Sequence, residues 1–258
     1  FKIILPFYFL GETMKNFILL ILTILFSIST YAENKTISIC SFEWPPHHGT
    51  TLKDEGYTAD LIKAIFEPQG YMIKKRFLPW KRAQVWAAEG KECDAITEIY
   101  LNRKRLEIFW YGSPYVVHEV FLIALKSYPV KNDNNLRELK GLVFGHNSGG
   151  SLSDEFDSAD YITKFETKGY KIGIRMLLAK RFDFYVSARS VALYEAKKMG
   201  QLDKIHTVGK PLQRQFVYMA FSKANSKNTE RLRDYNQGLF LVQRSGEYSN
   251  IMKKHGFK

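Results

Sequence analysis

The sequence predicts an α/β protein made of two lobes, and three observations support this. Residues 36–99 alternate as strand, helix, strand, helix and strand, an order that requires a parallel sheet with right-handed crossovers. A similar alternation follows the long apolar strand Val116–Leu125. The 258 residues are 45% hydrophobic and 25% charged, an ordinary globular composition, and the length suffices for one large domain or two smaller lobes.

The N-terminal part contains a segment typical of export. Met14 and Lys15 precede an apolar run, and small and polar residues follow it up to Ala32. This is the layout of a secretory signal peptide, with cleavage after Ala32. A membrane anchor is the alternative, but the run of about 14 residues is shorter than the ~20 that span a bilayer. We expect residues 1–32 to be an upstream extension plus signal peptide, and the mature protein to be periplasmic.

The elements of the first lobe have clear local signals. The first strand alternates apolar and polar residues, and Pro45 and Pro46 end it. Two helices show apolar residues at helical spacing, and Gly70 and Gly90 end them. The predicted elements are strand 36–42, helix 60–66, strand 71–78, helix 80–89 and strand 94–99.

The elements after Val116–Leu125 repeat this pattern in kind. A Gly/Ser loop and a helix separate the first two strands, and Gly246 ends the penultimate helix. The predicted elements are helix 136–141, strands 142–145 and 182–186, helix 191–199, strand 216–221, and helices 231–245 and 248–255.

The two cysteines and the two adjacent histidines are candidate sites of other chemistry. Cys40 and Cys93 fall on or beside predicted strands, and in an oxidising compartment they form either a disulfide or two buried thiols. His47 and His48 are neighbours, which is poor spacing for joint metal ligation. We expect no metal and no cofactor.

The formal net charge of +12 favours anionic partners but does not identify them. A nucleic-acid site needs cations clustered on one face with aromatic platforms. Here the cations are spread along the whole chain, so we expect no nucleic acid. The stretch 102–115, NRKRLEIFWYGSPY, still leaves the question of what its three cations hold.

Six short motifs follow one another in a family-specific order. They are WPPH at 44–47, G-Y-x-x-D-L-x-x-A-I at 56–65, PW with a later G and D-A at 79–95, R-x8-P-Y at 105–115, L-K-G at 139–141 and S-G-G-S at 148–151. Together they make residues 37–257 resemble the bacterial extracellular solute-binding proteins of family 3, the periplasmic partners of polar amino-acid uptake systems.

The resemblance implies a two-lobed periplasmic-binding-protein-like fold of type II. Lobe I would comprise 33–116 and 219–258, lobe II would comprise 117–218, and the lobes would close on a ligand by a hinge motion. The implied function is capture of a small anionic or amino-acid-like solute for an ABC permease, by a monomer that is not an enzyme. The alternatives are an enzyme on the same fold, similar to cyclohexadienyl dehydratase with Glu98 as general acid, and a stand-alone sensory module.

The resemblance also places candidate residues in the first lobe. Arg105 matches the arginine whose guanidinium forks onto the ligand's carboxylate, although a surface cation is the usual alternative. Trp44 and Trp80 match rings that sandwich the ligand, with core packing as the alternative. Glu98 and Tyr100 lie on the segment leading to Arg105 and either face the ligand or turn away.

The second lobe supplies the remaining candidates. The loop Ser148, Gly149, Gly150 and Ser151 precedes a predicted helix, so its backbone N–H groups would complete the carboxylate site unless it is a plain turn. The family's ammonium-binding acid falls at about Ala188 here, and we expect Arg189 beside it to contact the ligand. A ligand amine would then have to be blocked, placed elsewhere, or held by Glu98.

Overall fold

The computed structural model describes residues 35–128 and 135–257. The predicted signal peptide lies outside these residues. Within them, no helix has both the length and the apolar character needed to cross a membrane.

The described residues form nine strands and eight α-helices. The strands are β1 Lys35–Ser41, β2 Tyr71–Phe77, β3 Ala95–Tyr100, β4 Phe109–Tyr111, β5 Val116–Leu125, β6 Val143–Asn147, β7 Thr163–Thr167, β8 Phe184–Ala188 and β9 Ile205–Ser222. The helices are α1 Tyr57–Phe66, α2 Trp80–Glu89, α3 Arg103–Leu106, α4 Asp154–Ser158, α5 Tyr170–Leu178, α6 Arg189–Lys198, α7 Asn228–Arg244 and α8 Glu247–Lys254.

All nine strands belong to one hydrogen-bonded sheet, in the order β2-β1-β3-β9-β5-β8-β6-β7, with β4 also paired to β9. We call β1–β4 the first strand group and β6–β8 the second. In the first group β1 and β3 are parallel neighbours. In the second group β6 pairs in parallel with both β7 and β8. The antiparallel pair β5 and β9 lies between the groups, with Val116 opposite Val217.

The buried apolar residues form clusters that lie mainly on one or the other side of β5 and β9, and the largest also includes Ala188 of β8 and Val191 of α6. One large cluster packs α1, α7 and α8 against the first strand group, including Leu61, Phe66 and Tyr235. Two others pack around β5 to β8 and the helices α5 and α6. Each strand group therefore has its own core, as two consecutive α/β units require.

Cys40 and Cys93 form a disulfide with a Cα–Cα distance of 5.6 Å. Both cysteines are fully buried and pack with Ala83 and Ala87 of α2. The bond joins β1 to the turn that precedes β3, the strand next to it in the sheet. The question that the sequence left open is thus answered in favour of the disulfide.

Several predicted elements differ from the structure. β9 begins at Ile205 rather than near residue 216, and β4 and β7 were not predicted. β7 has the sequence TKFET with exposed residues, and the early part of β9 contains Lys210, Pro211 and Arg214. Such polar sequences carry no alternation signal, because these strands do not bury one continuous face.

Candidate functional site

A cavity lies between the two strand groups, at the ends of β1, β3, β6 and β8. The space between the atoms that line it is about 510 Å³, open solvent included. The first side of the cavity is lined by Phe42, Trp44, Trp80, Glu98, Tyr100 and Arg105. The opposite side is lined by Asn147, Gly150, Ser151, Leu152, Tyr170, Val186, Ser187 and Ala188.

The short helix α3 positions Arg105 at this cavity. Asn102 caps the helix, and its side-chain oxygen accepts a hydrogen bond from the Arg105 backbone N–H at 2.9 Å. The guanidinium lies over the Trp80 ring at 5.3 Å and donates to the Tyr100 carbonyl at 2.8 Å and to Gln84 Oε1 at 2.9 Å. These bonds use two of its five N–H donors and fix its orientation. Arg105 is thus a buried, oriented cation, whereas the neighbouring Arg103 is exposed.

Glu98 is the buried acid of the cavity. It is 2% exposed, and its Oε1 accepts a hydrogen bond from the Thr58 hydroxyl. Among the described residues, nothing hydrogen-bonds its Oε2. Burial, only partly offset by hydrogen bonds from Thr58 and Tyr115, raises the pKa of Glu98 to about 7. The carboxyl therefore changes charge near neutral pH.

We expect Glu98→Gln to stabilise the unligated protein at pH 8 but not at pH 4.5. The folded state holds a proton on Glu98 up to about pH 7, whereas the unfolded chain loses it near the ordinary pKa of 4.5. Stability is therefore lost as the pH rises between these values. Glutamine stays neutral and avoids this loss, which amounts to about 3 kcal/mol. Urea denaturation at both pH values measures the difference.

The exposed Glu107→Gln is the matched control, because it removes a carboxylate nearby in the sequence without burial. It should leave the free energy of unfolding within about 0.5 kcal/mol of wild type at both pH values. A Glu98→Gln effect of equal size at pH 4.5 and pH 8 would show that this carboxyl does not titrate abnormally.

Three predicted residues of the first lobe line the cavity besides Arg105 and Glu98, namely Trp44, Trp80 and Tyr100. Phe42 contacts both tryptophan rings, with ring centroids 5.5 Å from Trp44 and 4.5 Å from Trp80. Trp44 lies nearly parallel to Tyr170 of the opposite side, 6.5 Å between centroids. Tyr100 also lines the cavity. Trp44 and Tyr170 are thus facing rings across the cavity, and Phe42 contacts both tryptophans.

The glycine-serine loop is only partly in the cavity. Gly150 and Ser151 line it, whereas Ser148 and Gly149 do not. The backbone N–H groups of Ser148 and Gly150 already donate to protein carbonyls. The following helix α4 has five residues and begins with acidic side chains, which oppose an anion. The role of this loop in binding an anion therefore stays a prediction, which Gly150 and Ser151 support by lining the cavity.

Arg189, predicted to contact the ligand, lies outside the cavity lining that the structure describes. It begins α6 with an exposed side chain and is not part of the cavity lining. Ala188, at the end of β8, does line the cavity. The strand buries Ala188, and the turn into the helix sends the next residue to the surface.

Other lining residues were missed because no local pattern marks them. Asn147 ends β6, Leu152 follows the glycine-serine loop, Tyr170 begins α5, and Ser187 lies in β8. They reach the cavity only through the sheet order, which places the ends of β6 and β8 opposite β3. The position at a strand end is the one signal that could have suggested Asn147 and Ser187.

Residues 42–258 match the profile of the bacterial extracellular solute-binding proteins, family 3. Comparison with curated protein sequences gives no significant match.

Three solved structures illustrate which proteins have a fold similar to that of this chain. A histidine kinase sensor domain with similarity to periplasmic binding proteins is 20% identical, with a TM-score of 0.75 over 86% of this chain and 96% of that one. An ABC uptake transporter substrate-binding protein from Streptococcus pneumoniae with bound histidine is 20% identical, with a TM-score of 0.73 over 88% and 95%. An ancestral arginine-binding protein bound to glutamine is 21% identical, with a TM-score of 0.73 over 86% and 98%.

These likenesses show the type II periplasmic-binding-protein fold, and the family match covers most of the sequence. The chain therefore belongs to the bacterial extracellular solute-binding proteins of family 3.

Proposed function

We propose that this solute-binding protein captures a small solute carrying a carboxylate and delivers it to an ABC importer. The observation that carries the proposal is Arg105, a buried guanidinium that lines the cavity and is held in place by Tyr100, Gln84 and Trp80. A planar guanidinium binds a carboxylate with two parallel hydrogen bonds, and a site shielded from water strengthens them. The disulfide fits an exported protein.

The proposed division into lobes follows the strand groups. Lobe I is 33–116 with 219–258, lobe II is 117–218, and the paired strands β5 and β9 connect them. Two hydrogen bonds across the cavity support a closed arrangement. Trp80 Nε1 donates to the Gly149 carbonyl at 2.8 Å, and His47 Nε2 lies 2.8 Å from the Ser190 hydroxyl. Closure would remove water from the solute.

A thermal-shift screen against organic acids and amino acids tests the proposed function. A solute that binds the folded state alone raises its stability, by about 2.7 kcal/mol at a concentration one hundred times Kd. We expect carboxylates to stabilise the protein and their amides or esters to have no effect. Equal stabilisation by acids and esters would contradict the proposal. A radius of gyration that does not shrink with a stabilising acid would contradict closure.

Trp80 is expected to contribute to solute binding in two ways, through the packing of its ring and through the hydrogen bond of its N–H. Trp80→Phe keeps an aromatic ring under Arg105 but removes the hydrogen bond to Gly149, whereas Trp80→Ala removes both. We expect Trp80→Ala to weaken binding by about 1–3 kcal/mol, the scale of a large buried apolar group, and Trp80→Phe by about 1 kcal/mol. Titration of the stabilising acid by calorimetry measures both. Unchanged affinity in Trp80→Ala would assign this ring to the core alone.

Catalysis is a second candidate function, favoured by one observation. Glu98 is a cavity carboxyl whose pKa is raised to about 7, suitable for a general acid. Turnover of prephenate-like cyclic acids by the purified protein, abolished in Glu98→Gln, would establish it. An unchanged substrate after prolonged incubation would leave binding as the function.

A further inference from the structure

We propose that His47 and Ser190 form a pH-sensitive latch between the two strand groups, which holds the cavity closed at neutral pH and opposes closure in acid. The inference rests on the proposed function, in which the two lobes close on the solute. His47 lies in the loop after β1, and Ser190 is the second residue of α6, which follows β8. The described cavity lining includes neither residue, so the latch is separate from the solute site.

The first observation is that a polar contact joins the two sides at a buried place. His47 Nε2 lies 2.8 Å from the Ser190 hydroxyl oxygen, and His47 is 2% exposed. Three rings of the first core enclose the imidazole, those of Trp44, Tyr57 and Phe257, with centroids 5.5 or 5.6 Å away. If the two sides separate, α6 moves away, and the side of the imidazole that faces Ser190 meets water.

The second observation is that the contact suits a neutral imidazole better than a charged one. His47 Nδ1 is buried and has no hydrogen-bond partner among residues 35–128 and 135–257. A protonated imidazole carries an N–H on both nitrogens. In the closed form the Ser190 hydroxyl can accept one of these N–H groups, but the one on Nδ1 is buried without an acceptor, which is unfavourable.

The third observation is that the surroundings oppose a positive charge on His47. The ring of His118 in β5 stacks on it, with centroids 4.1 Å apart. The two nitrogens of His118 lie near tyrosine hydroxyls, 3.5 Å from Tyr57 and 3.3 Å from Tyr100. On the other side, Ser190 lies at the N-terminal, positive end of α6, whose first turn has no acidic residue. The closed form therefore stabilises no proton on His47.

The pKa values of the neighbouring groups agree with this arrangement. Burial first, and His118 second, lower the pKa of His47 well below its ordinary value. Burial lowers the pKa of His118 to about 3, and burial first and Lys75 second do the same for His48, the next residue in the chain. The two tyrosine hydroxyls that face His118 have pKa values well above the usual range, through burial first. Arg189, next to the latch, is exposed and adds a cation rather than an acid.

Glu98 also titrates near neutral pH, and it acts in the opposite sense. Burial raises its pKa to about 7 in the closed form, so acid favours closure through this carboxyl. His47 must be neutral in the closed form, whereas an exposed imidazole has a pKa of about 6.5. Through His47, closure is therefore fully favoured above this value and is lost as the pH falls below it. The two effects are separated when Glu98 is replaced.

The test compares Glu98→Gln with Glu98→Gln/His47→Gln at pH 8 and pH 5.5. The glutamine introduced by His47→Gln stays neutral and can bond to Ser190. At pH 5.5 about one exposed imidazole in eleven is neutral. The ratio of closed to open molecules should therefore fall by about tenfold in Glu98→Gln and stay constant in the double variant. Glu98→Gln/His206→Gln is the matched control, because His206 lies in β9 outside the latch, and it should show the same fall.

Two readouts cover both a mostly open and a mostly closed unligated protein. If the open form predominates, the fall in the ratio appears as weaker binding of carboxylate probes in calorimetry. The probes are L-glutamine, L-phenylalanine and 3-phenylpropionate, which keep nearly the same charge over this pH range. If the closed form predominates, the fall appears in small-angle scattering as a larger radius of gyration of the unligated protein at pH 5.5.

Ser190→Ala, added to Glu98→Gln, separates the hydrogen bond from the charge. It removes the contact but keeps the buried imidazole. The ratio of closed to open molecules should fall by about fivefold at pH 8, the equivalent of one hydrogen bond. The further tenfold fall at pH 5.5 should remain, because it depends on the proton of His47.

The outcomes separate the latch from the proposed function. Kd and radius of gyration that are both independent of pH in Glu98→Gln overturn the latch, as does an equal pH effect in Glu98→Gln/His47→Gln. Carboxylate binding by wild type together with either result leaves the proposed function intact. If no carboxylate binds wild type, but acid expands Glu98→Gln and not the double variant, the latch stands and the proposed function falls. If no carboxylate binds and acid expands neither protein, both are overturned.

Discussion

Replacing Arg105 with alanine is expected to weaken binding of a carboxylate solute by about 2–5 kcal/mol, the usual effect of removing one side of a buried charge pair. The guanidinium is buried and oriented, so its hydrogen bonds to the solute are formed with little loss of side-chain freedom. Arg105→Lys should recover only part of this energy, because an ammonium cannot form the two parallel bonds. Calorimetric titration of the acid that stabilises the protein most provides the measurement.

The adjacent Arg103 offers a matched control for Arg105. Both belong to the short helix α3, but the Arg103 side chain is exposed. Arg103→Ala should leave Kd within about twofold of wild type, and circular dichroism should show that both variants fold. A loss of the same size in the two variants would attribute the effect to the net charge of the surface, and would argue against a carboxylate in the cavity.

Replacing both cysteines with alanine is expected to destabilise the protein by about 4 kcal/mol. The disulfide joins residues 53 positions apart, and a cross-link of this length restricts the unfolded chain by roughly that free energy. The two half-cystines are also fully buried against α2, so their loss leaves poorer packing. Urea denaturation of Cys40→Ala/Cys93→Ala against wild type tests the prediction.

Reduction gives an independent control for the cysteine variant. Dithiothreitol should lower the stability of the wild type towards that of the double variant and leave the double variant unchanged. A wild type that loses less than about 1 kcal/mol on full reduction would contradict the prediction, and would show that packing alone stabilises β1 against β3.

The sequence predicted those elements that have a strong local signal. Trp80–Glu89 and Val116–Leu125 were predicted with the bounds that the structure has. Pro79 precedes the first of them, and Gly90 ends it in the left-handed conformation. The early part of β9 could not be predicted, because it pairs mainly with β5 and buries few of its side chains. Its extended form depends on a partner 80 to 100 residues away in the sequence.

For the candidate site, residue identity could be predicted more easily than geometry. The resemblance indicated Arg105, and the structure places this residue in the cavity. Local sequence could not indicate that Phe42 contacts both Trp44 and Trp80, because ring positions depend on packing between distant elements. The left-handed conformation of Glu98 was likewise unpredictable, since glutamate rarely adopts it. The exposed position of Arg189 was also not predictable, because β8 ends at its neighbour Ala188 and the chain turns there into a helix.

The pairing of β3 with β9 has a consequence for how the protein matures. β3 ends at Tyr100, whereas the part of β9 that pairs with it begins at Val217, so more than one hundred residues must follow before the pair can form. Until then one edge of β3 presents unpaired backbone groups, which can pair with another chain. Contacts so distant in sequence also slow folding. A newly made chain would therefore be most prone to aggregate before its C-terminal segment arrives, and C-terminal truncations should accumulate as insoluble material.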